Sequence, residues 1–224
     1  MSLLNKLKGN AKVAELGYGI HKNCIIQSAT NEVRKTKDGS IVKRSCYTTI
    51  AQVDDKGKVV SNRTISWFNV DPTSDMAYDN LFTQLDQTTE LMDILYPPVS
   101  EEEGSEWDTA FAALLKEYDV DETEASLRKV ISKSKTSKPF MAALGDLYAS
   151  MVNEKSGKDS PKFKFKLVFD KSTVYIQLPR FGQFSELMGV KTTKLGFSDN
   201  ELEFKAKSDK TASAVAGNTS IGSL

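Results

Sequence analysis

The side chains that could do acid–base or nucleophilic chemistry are few and dispersed. There is one histidine, His21, set between Ile20 and Lys22, and there are two cysteines, Cys24 and Cys46. Imidazole is the one side chain that ordinarily titrates near neutral pH, but as a catalyst it needs a nucleophile, a second base or a metal beside it. The chain has no Gly-x-Ser-x-Gly elbow, no His-Glu-x-x-His pair and no Gly-rich phosphate loop ahead of a helix. The cysteines have no further Cys or His at metal-ligand spacing and are too few for a disulfide framework. They read as reduced strand residues of a cytoplasmic protein. Carboxylates crowd residues 71–130, but with the spacing of exposed helix faces and without an EF-hand loop. These residues predict no enzyme, no metal and no cofactor.

The chemistry present in quantity is that of polyanion binding. Lys35, Lys37, Lys43, Arg44, Lys56, Lys58 and Arg63 fall on strand-like or turn-like text, and Lys162, Lys164 and Lys166 alternate with Phe163, Phe165 and Leu167. Cations held along strands follow a phosphate backbone and release its counterions. Tyr47, Trp67, Phe68, Tyr175 and Phe181 lie in or beside the same segments. On an open face such rings stack on bases, each worth about 1–3 kcal/mol. Trp67 and Phe68 are neighbours, so in a strand one of them points away from the core. The candidate nucleic-acid-binding set is Lys35, Lys37, Lys43, Arg44, Tyr47, Lys58, Arg63, Trp67, Lys162, Lys164, Lys166 and Tyr175. Against it stands a plainer reading, in which strand aromatics fill a core and alternating lysines keep an edge strand soluble.

Charge is partitioned along the chain although the 224 residues sum to zero. Residues 1–70 carry 12 Lys/Arg and 5 Asp/Glu, a net of +7, and residues 131–224 carry 15 and 9, a net of +6. Residues 71–130 carry 3 and 16, a net of −13. The basic parts suit a polyanion, and the acidic part suits basic partners. No apolar run reaches the length of a membrane span, and residues 1–10 lack the apolar stretch of a secretory signal.

The elements that must position these residues change period twice. Residues 1–11 read as a basic arm. Residues 12–33, 45–53 and 58–68 read as three antiparallel strands. Gly17 and Gly19 mark a bend, and turns fall at Thr36-Lys37-Asp38-Gly39-Ser40 and Asp54-Asp55-Lys56-Gly57. From Ser74 the spacing becomes helical, with predicted helices at 74–95, after Ser105, at about 121–132 and at about 138–153. Ser105 with Asp108 three residues on is a capping-box pattern, and Lys133–Lys138 reads as a linker. At Lys162 strict alternation returns, with a partner strand expected at 174–178, a helical turn at 183–189, a short strand at 201–206 and a mobile tail over 208–224.

Three strands, a helical block and two further strands predict an α+β protein. Its expected form is an OB-like five-stranded antiparallel β-barrel with a large helical insertion between strands 3 and 4. The pieces would be 1–70 for the first three strands, 71–160 for the acidic insertion, 161–207 for the remaining strands and 208–224 for the tail. An open sheet with the helices on one side is the alternative arrangement. Several stretches resemble bacteriophage-type single-stranded DNA-binding proteins. They are Tyr18-Gly19-Ile20-His21-Lys22-Asn23-Cys24-Ile25-Ile26, Thr36-Lys37-Asp38-Gly39 and Ile65-Ser66-Trp67-Phe68. Lys164-Phe165-Lys166-Leu167-Val168, Ile176-Gln177-Leu178-Pro179 and Phe184-Ser185-Glu186-Leu187-Met188 continue the likeness. The resemblance implies an OB-fold that coats single strands in DNA replication or recombination.

The expected ligand is therefore single-stranded DNA, bound without sequence preference. The acidic block would recruit replication or recombination proteins, self-association is compatible with strand coating, and no membrane is involved. The competing function is a structural or assembly protein, for instance of a phage particle, joined by basic-to-acidic subunit contacts.

Overall fold

Alternation of apolar and polar side chains over long stretches makes strands, and the longest such stretches here build one curled sheet. The computed structural model describes residues 13–35, 42–69, 75–100, 104–121, 123–131, 134–169, 176–179, 182–190 and 194–202. The strands are β1 (Ala14–Glu15), β2 (Gly19–Lys35), β3 (Val42–Val53), β4 (Val59–Asn69), β5 (Phe163–Phe169), β6 (Ile176–Gln177) and β7 (Ser185–Leu187). Four helices, α1 (Asp75–Leu95), α2 (Glu106–Glu117), α3 (Glu124–Ile131) and α4 (Ser134–Glu154), lie between β4 and β5 in the chain. The sheet order is β1-β4-β3-β2-β5-β6, with β7 also on β5, and the sheet curls into an open half-barrel. The protein is thus a mixed α+β fold, with seven strands among the described residues where five were expected.

Local chemistry accounts for the boundaries. The long first strand breaks at Leu16–Tyr18, where Gly19 adopts φ 137°, a conformation that favours glycine. Asp54 closes the β3–β4 hairpin by accepting from the backbone N–H groups of Lys56 and Lys58, both at 2.9 Å, while Gly57 takes φ 78°. Ser105 caps α2 reciprocally: its hydroxyl accepts from Asp108 N at 3.1 Å and Asp108 accepts from Ser105 N at 2.7 Å.

Three expectations are corrected. The segment expected as a linker at 133–138 supplies the start of α4 from Ser134. Pro139 is the sixth residue of α4, so the helix forms one backbone N–H bond fewer there. The helical turn expected at 183–189 contains strand β7, because β5 offers it a free edge: Lys166 N donates to Phe184 O and Met188 N to Lys162 O. The short strand expected from 201 is, over 199–202, a helical turn whose first amide, Ser198 N, donates to the Glu201 carboxylate at 2.7 Å. The arm at 1–11, the turn at 36–40 and the tail at 208–224 lie outside the described residues.

The core lies between one face of the sheet and α1 and α4. Trp67 is 1% exposed; its ring stacks on Tyr148 of α4 and meets Phe184 edge-on, and its indole N–H donates to Thr88 of α1. Phe163 and Phe165 extend this aromatic row. α4 sits hard against the sheet at Gly145, where an added Cβ would stand 2.7 Å from Asn31 Nδ2 and 3.0 Å from Cys46 Sγ. The Thr48 hydroxyl and the Tyr148 phenol bond to each other one turn further on. The register of β2 shifts between Ile26 and Ser28, which takes backbone groups out of the ladder. Here Asn153 bonds both the N–H and the carbonyl of Ala29 at 2.8 Å, and Ser160 Oγ accepts from Ile26 N at 2.9 Å. Buried backbone groups need such partners.

Candidate nucleic-acid interface

Register decides what the opposite face of the sheet presents. In the helix-facing rows Ala29, Thr48 and Ile65 are paired side by side and all are buried. The alternate rows therefore face away from the helices. One such row is Thr30, Tyr47 and Ser66, with Tyr47 half-buried between two exposed hydroxyl residues. The next is Ser28, Thr49 and Thr64, in which the two threonine hydroxyls bond at 2.9 Å. Beyond it Asn62 donates to Gln27 at 3.3 Å. The result is a face of short hydroxyl and amide side chains around one tyrosine ring. These are the side-chain types that hydrogen-bond phosphate and sugar, with an aromatic surface for a base.

Cationic residues stand at both ends of these strands in the chain. At one end β2 and β3 carry Arg34, Lys35, Lys43 and Arg44 in paired register positions, and the connection between them, with Lys37, lies outside the described residues. At the other end Lys56 and Lys58 are exposed on the β3–β4 hairpin. Lys162 is exposed just before β5. Tyr175 and Phe181 lie outside the described residues.

Four of the residues singled out in the sequence are engaged inside the protein. Trp67 is a core residue and cannot stack on a base, because α1 and α4 close over it. Arg63 donates from Nε to the Leu16 carbonyl at 2.6 Å and pairs with Glu15 at 3.2 Å, which fastens β1 to the edge of β4. Lys164 pairs across β5 and β7 with the buried carboxylate of Glu186 at 3.1 Å. Lys166 is 3% exposed, donates to the Gly196 carbonyl at 2.8 Å and pairs with Glu201 at 3.3 Å. The alternating lysines of β5 therefore do not form an open basic face. β7 beside them and residues 194–202 supply the carboxylates that a buried ammonium requires.

Other titratable groups are structural. His21 Nε2 donates to the Gly17 carbonyl at 2.9 Å, within the bend that precedes β2. Burial pushes the Cys24 thiol up to about 12, which leaves it protonated and unreactive. One oxygen of Glu90 on α1 accepts from Phe184 N, Ser185 N and Ser185 Oγ at 2.7–2.8 Å, fastening β7 to the helix. Burial raises its carboxyl above the ordinary glutamate value, and those bonds oppose the rise. Among the described residues no cluster of His, Cys, Asp and Glu is placed to hold a metal ion. Among them, too, no helix is long and apolar enough to cross a membrane.

The sequence reading missed Tyr18, Phe169 and Phe197, whose rings form a column beside Lys166. Their one local signal was a lone aromatic, Phe197, inside the polar loop text Gly196-Phe197-Ser198-Asp199. Comparison of the chain with protein-family models, with curated proteins and with solved structures finds no match.

Proposed function

We propose that this chain binds single-stranded nucleic acid, single-stranded DNA in the first place, without sequence preference and without catalysis. The observation that carries the reading is the helix-distal face of β2, β3 and β4. It sets Tyr47 among Thr30, Ser66, Thr49 and Thr64, between the paired cationic positions of β2 and β3 and the exposed Lys56 and Lys58. A strand laid across it would stack a base on Tyr47, hydrogen-bond its backbone to the hydroxyls and place phosphates near the cations at either end. The fold reading that accompanies this function is OB-like. Long β2 pairs with both β3 and β5, as the first strand of such a barrel does, and the helical block stands in the slot after the third long strand. Coating of single strands in phage DNA replication or recombination is the role that fits this reading, in a host cytoplasm.

The competing proposal, subunit assembly, has one observation of its own. A groove of about 550 Å³ between α1, α2 and α3 has an apolar floor of Leu85, Phe111 and Leu127 and is rimmed by Asp86, Asp108 and Asp121. Such a groove suits a basic segment, whether of a replication protein or of another subunit.

The test is fluorescence anisotropy of a labelled oligothymidylate at about 50 and 200 mM salt, beside a duplex of equal length. Binding of the single strand that weakens with salt, and that drops about tenfold in Tyr47→Ala at unchanged melting temperature, is the expected result. No binding of either probe at the lower salt removes the proposal, and concentration-dependent light scattering without DNA would then favour assembly.

A further inference from the structure

The Tyr18 ring lies between Phe169 and Phe197, with centroids 5.5 and 5.1 Å away and interplanar angles of 18° and 15°. All three rings are half-buried, so the column stands at the surface rather than in the core. Near-parallel rings at a protein surface are the geometry on which unstacked bases settle. Lys166 Nζ stands beside the column, 5.7 Å from the Phe197 centroid and 3.3 Å from a Glu201 oxygen. Phe197 and Glu201 both belong to residues 194–202. Toward Tyr18 and Lys166 this one segment therefore presents a flat ring and an anion a few residues apart. A nucleotide presents the same two groups, a base and a phosphate.

The way the segment is held suits an exchange. Residues 194–198 make no strand pairing with the sheet. The segment is anchored by the buried Leu195, by the Lys166 bonds to Gly196 and Glu201, and by the Tyr18 hydroxyl, which donates to the Glu201 carbonyl at 3.2 Å. A competing strand that supplies a base and a phosphate replaces the ring contact and the ion pair in kind. The Leu195 anchor, two carbonyl bonds and the Lys194 N–H, which donates to Glu186 at 3.4 Å, remain to resist it.

We infer that Tyr18, Phe169 and Lys166 form a nucleotide-binding subsite that residues 194–202 occupy in the ligand-free chain, Phe197 in the place of a base and Glu201 in the place of a phosphate. The inference rests on the proposed single-strand binding and adds a second site, on β5, to the open face of β2–β4. It also gives the buried Lys166 a ligand to release to, and makes the segment a built-in competitor that sets the affinity of the whole surface.

The experiment uses the full chain, the labelled oligothymidylate and the double variant Phe197→Leu/Glu201→Gln, which keeps apolar volume but removes the flat ring and the charge. The expected result is binding about 3- to 10-fold tighter than wild type, the fold-change of roughly one stacking contact or ion pair no longer competing, and about 3- to 10-fold weaker binding in Tyr18→Leu. Hydrogen exchange on the unaltered chain supplies the second measurement: adding the oligonucleotide should raise amide exchange in residues 194–202. Wild-type binding with no gain in the double variant and no rise in exchange overturns the subsite and leaves the open-face reading standing. Binding by the double variant where the wild type binds nothing supports it, with the segment as a complete block. Absence of binding in both overturns the subsite together with the reading it rests on.

Discussion

The helix-distal face of the sheet has two halves that handle charge and rings in opposite ways. Over β5 every strong group is covered: Lys164 by Glu186, Lys166 by Glu201 and Tyr18 by Phe197. Over β2, β3 and β4 the face is open, with exposed Thr30, Thr64 and Ser66 around Tyr47. In the first half the lysines alternate most regularly, and Lys164 and Lys166 are both engaged within the protein. A lysine that the fold covers must find a carboxylate or a carbonyl, because an unpaired buried ammonium is too costly. Alternating lysines therefore mark a helix-distal face without saying whether that face meets water or protein.

The sharpest way to break this comparison is at Trp67, which lies under the open half. Trp67→Ala removes the ring that joins Tyr148, Phe184 and Thr88, and should cost about 3–5 kcal/mol in urea melts. Retained stability with loss of oligonucleotide binding would return Trp67 to the interface. Next is the pair Lys166→Glu and Lys162→Glu. The first sets a carboxylate against Glu201 in a covered site and should cost about 3–5 kcal/mol. The second, on an exposed residue, should stay within about 0.5 kcal/mol. Equal effects would mean that β5 is not covered. Gly145→Ala forces α4 away from Asn31 and Cys46 and should lose about 1–3 kcal/mol, read as a lower melting temperature. A gain in stability there would show that the helix has room.

The smallest effect belongs to Glu90, which holds β7 in place beside β5. Its carboxyl is raised by burial, so the folded chain holds that proton more tightly than the unfolded one. The sign follows: the stabilising contribution is complete below the ordinary glutamate pKa and declines as pH rises through the raised value. Glu90→Gln can accept the same hydrogen bonds without the charge and removes the decline. Its melting temperature relative to wild type should improve by about 1–3 °C as pH is raised from the acid side to neutrality. A difference that does not move with pH would show that Glu90 is not the titrating group.

Much of the local structure was legible. The Asp54–Gly57 turn, the Ser105–Asp108 capping box, the change of period after Asn69 and its return at Lys162 are all written in adjacent residues. Residues 185–187 and 199–202 were misread for a common reason. β7 exists because β5 has a free edge for it, and the turn at 199–202 is capped by a glutamate that also serves Lys166. Of the candidate site, Tyr47 and the exposed lysines of the hairpin were legible from strand position. Trp67, Arg63, Lys164 and Lys166 were misplaced because their partners lie at least 21 residues away in the chain.

By itself the sequence determined the long strands, the helical block between them and the two-faced character of each long strand, since turn chemistry, capping and periodicity act over a few residues. Tertiary structure alone decided which face is covered, which lysines keep their charge at the surface and which rings meet. Those outcomes depend on what the fold lays over each strand, and the alternation of side chains along a strand is the same whether water or a distant segment lies above it.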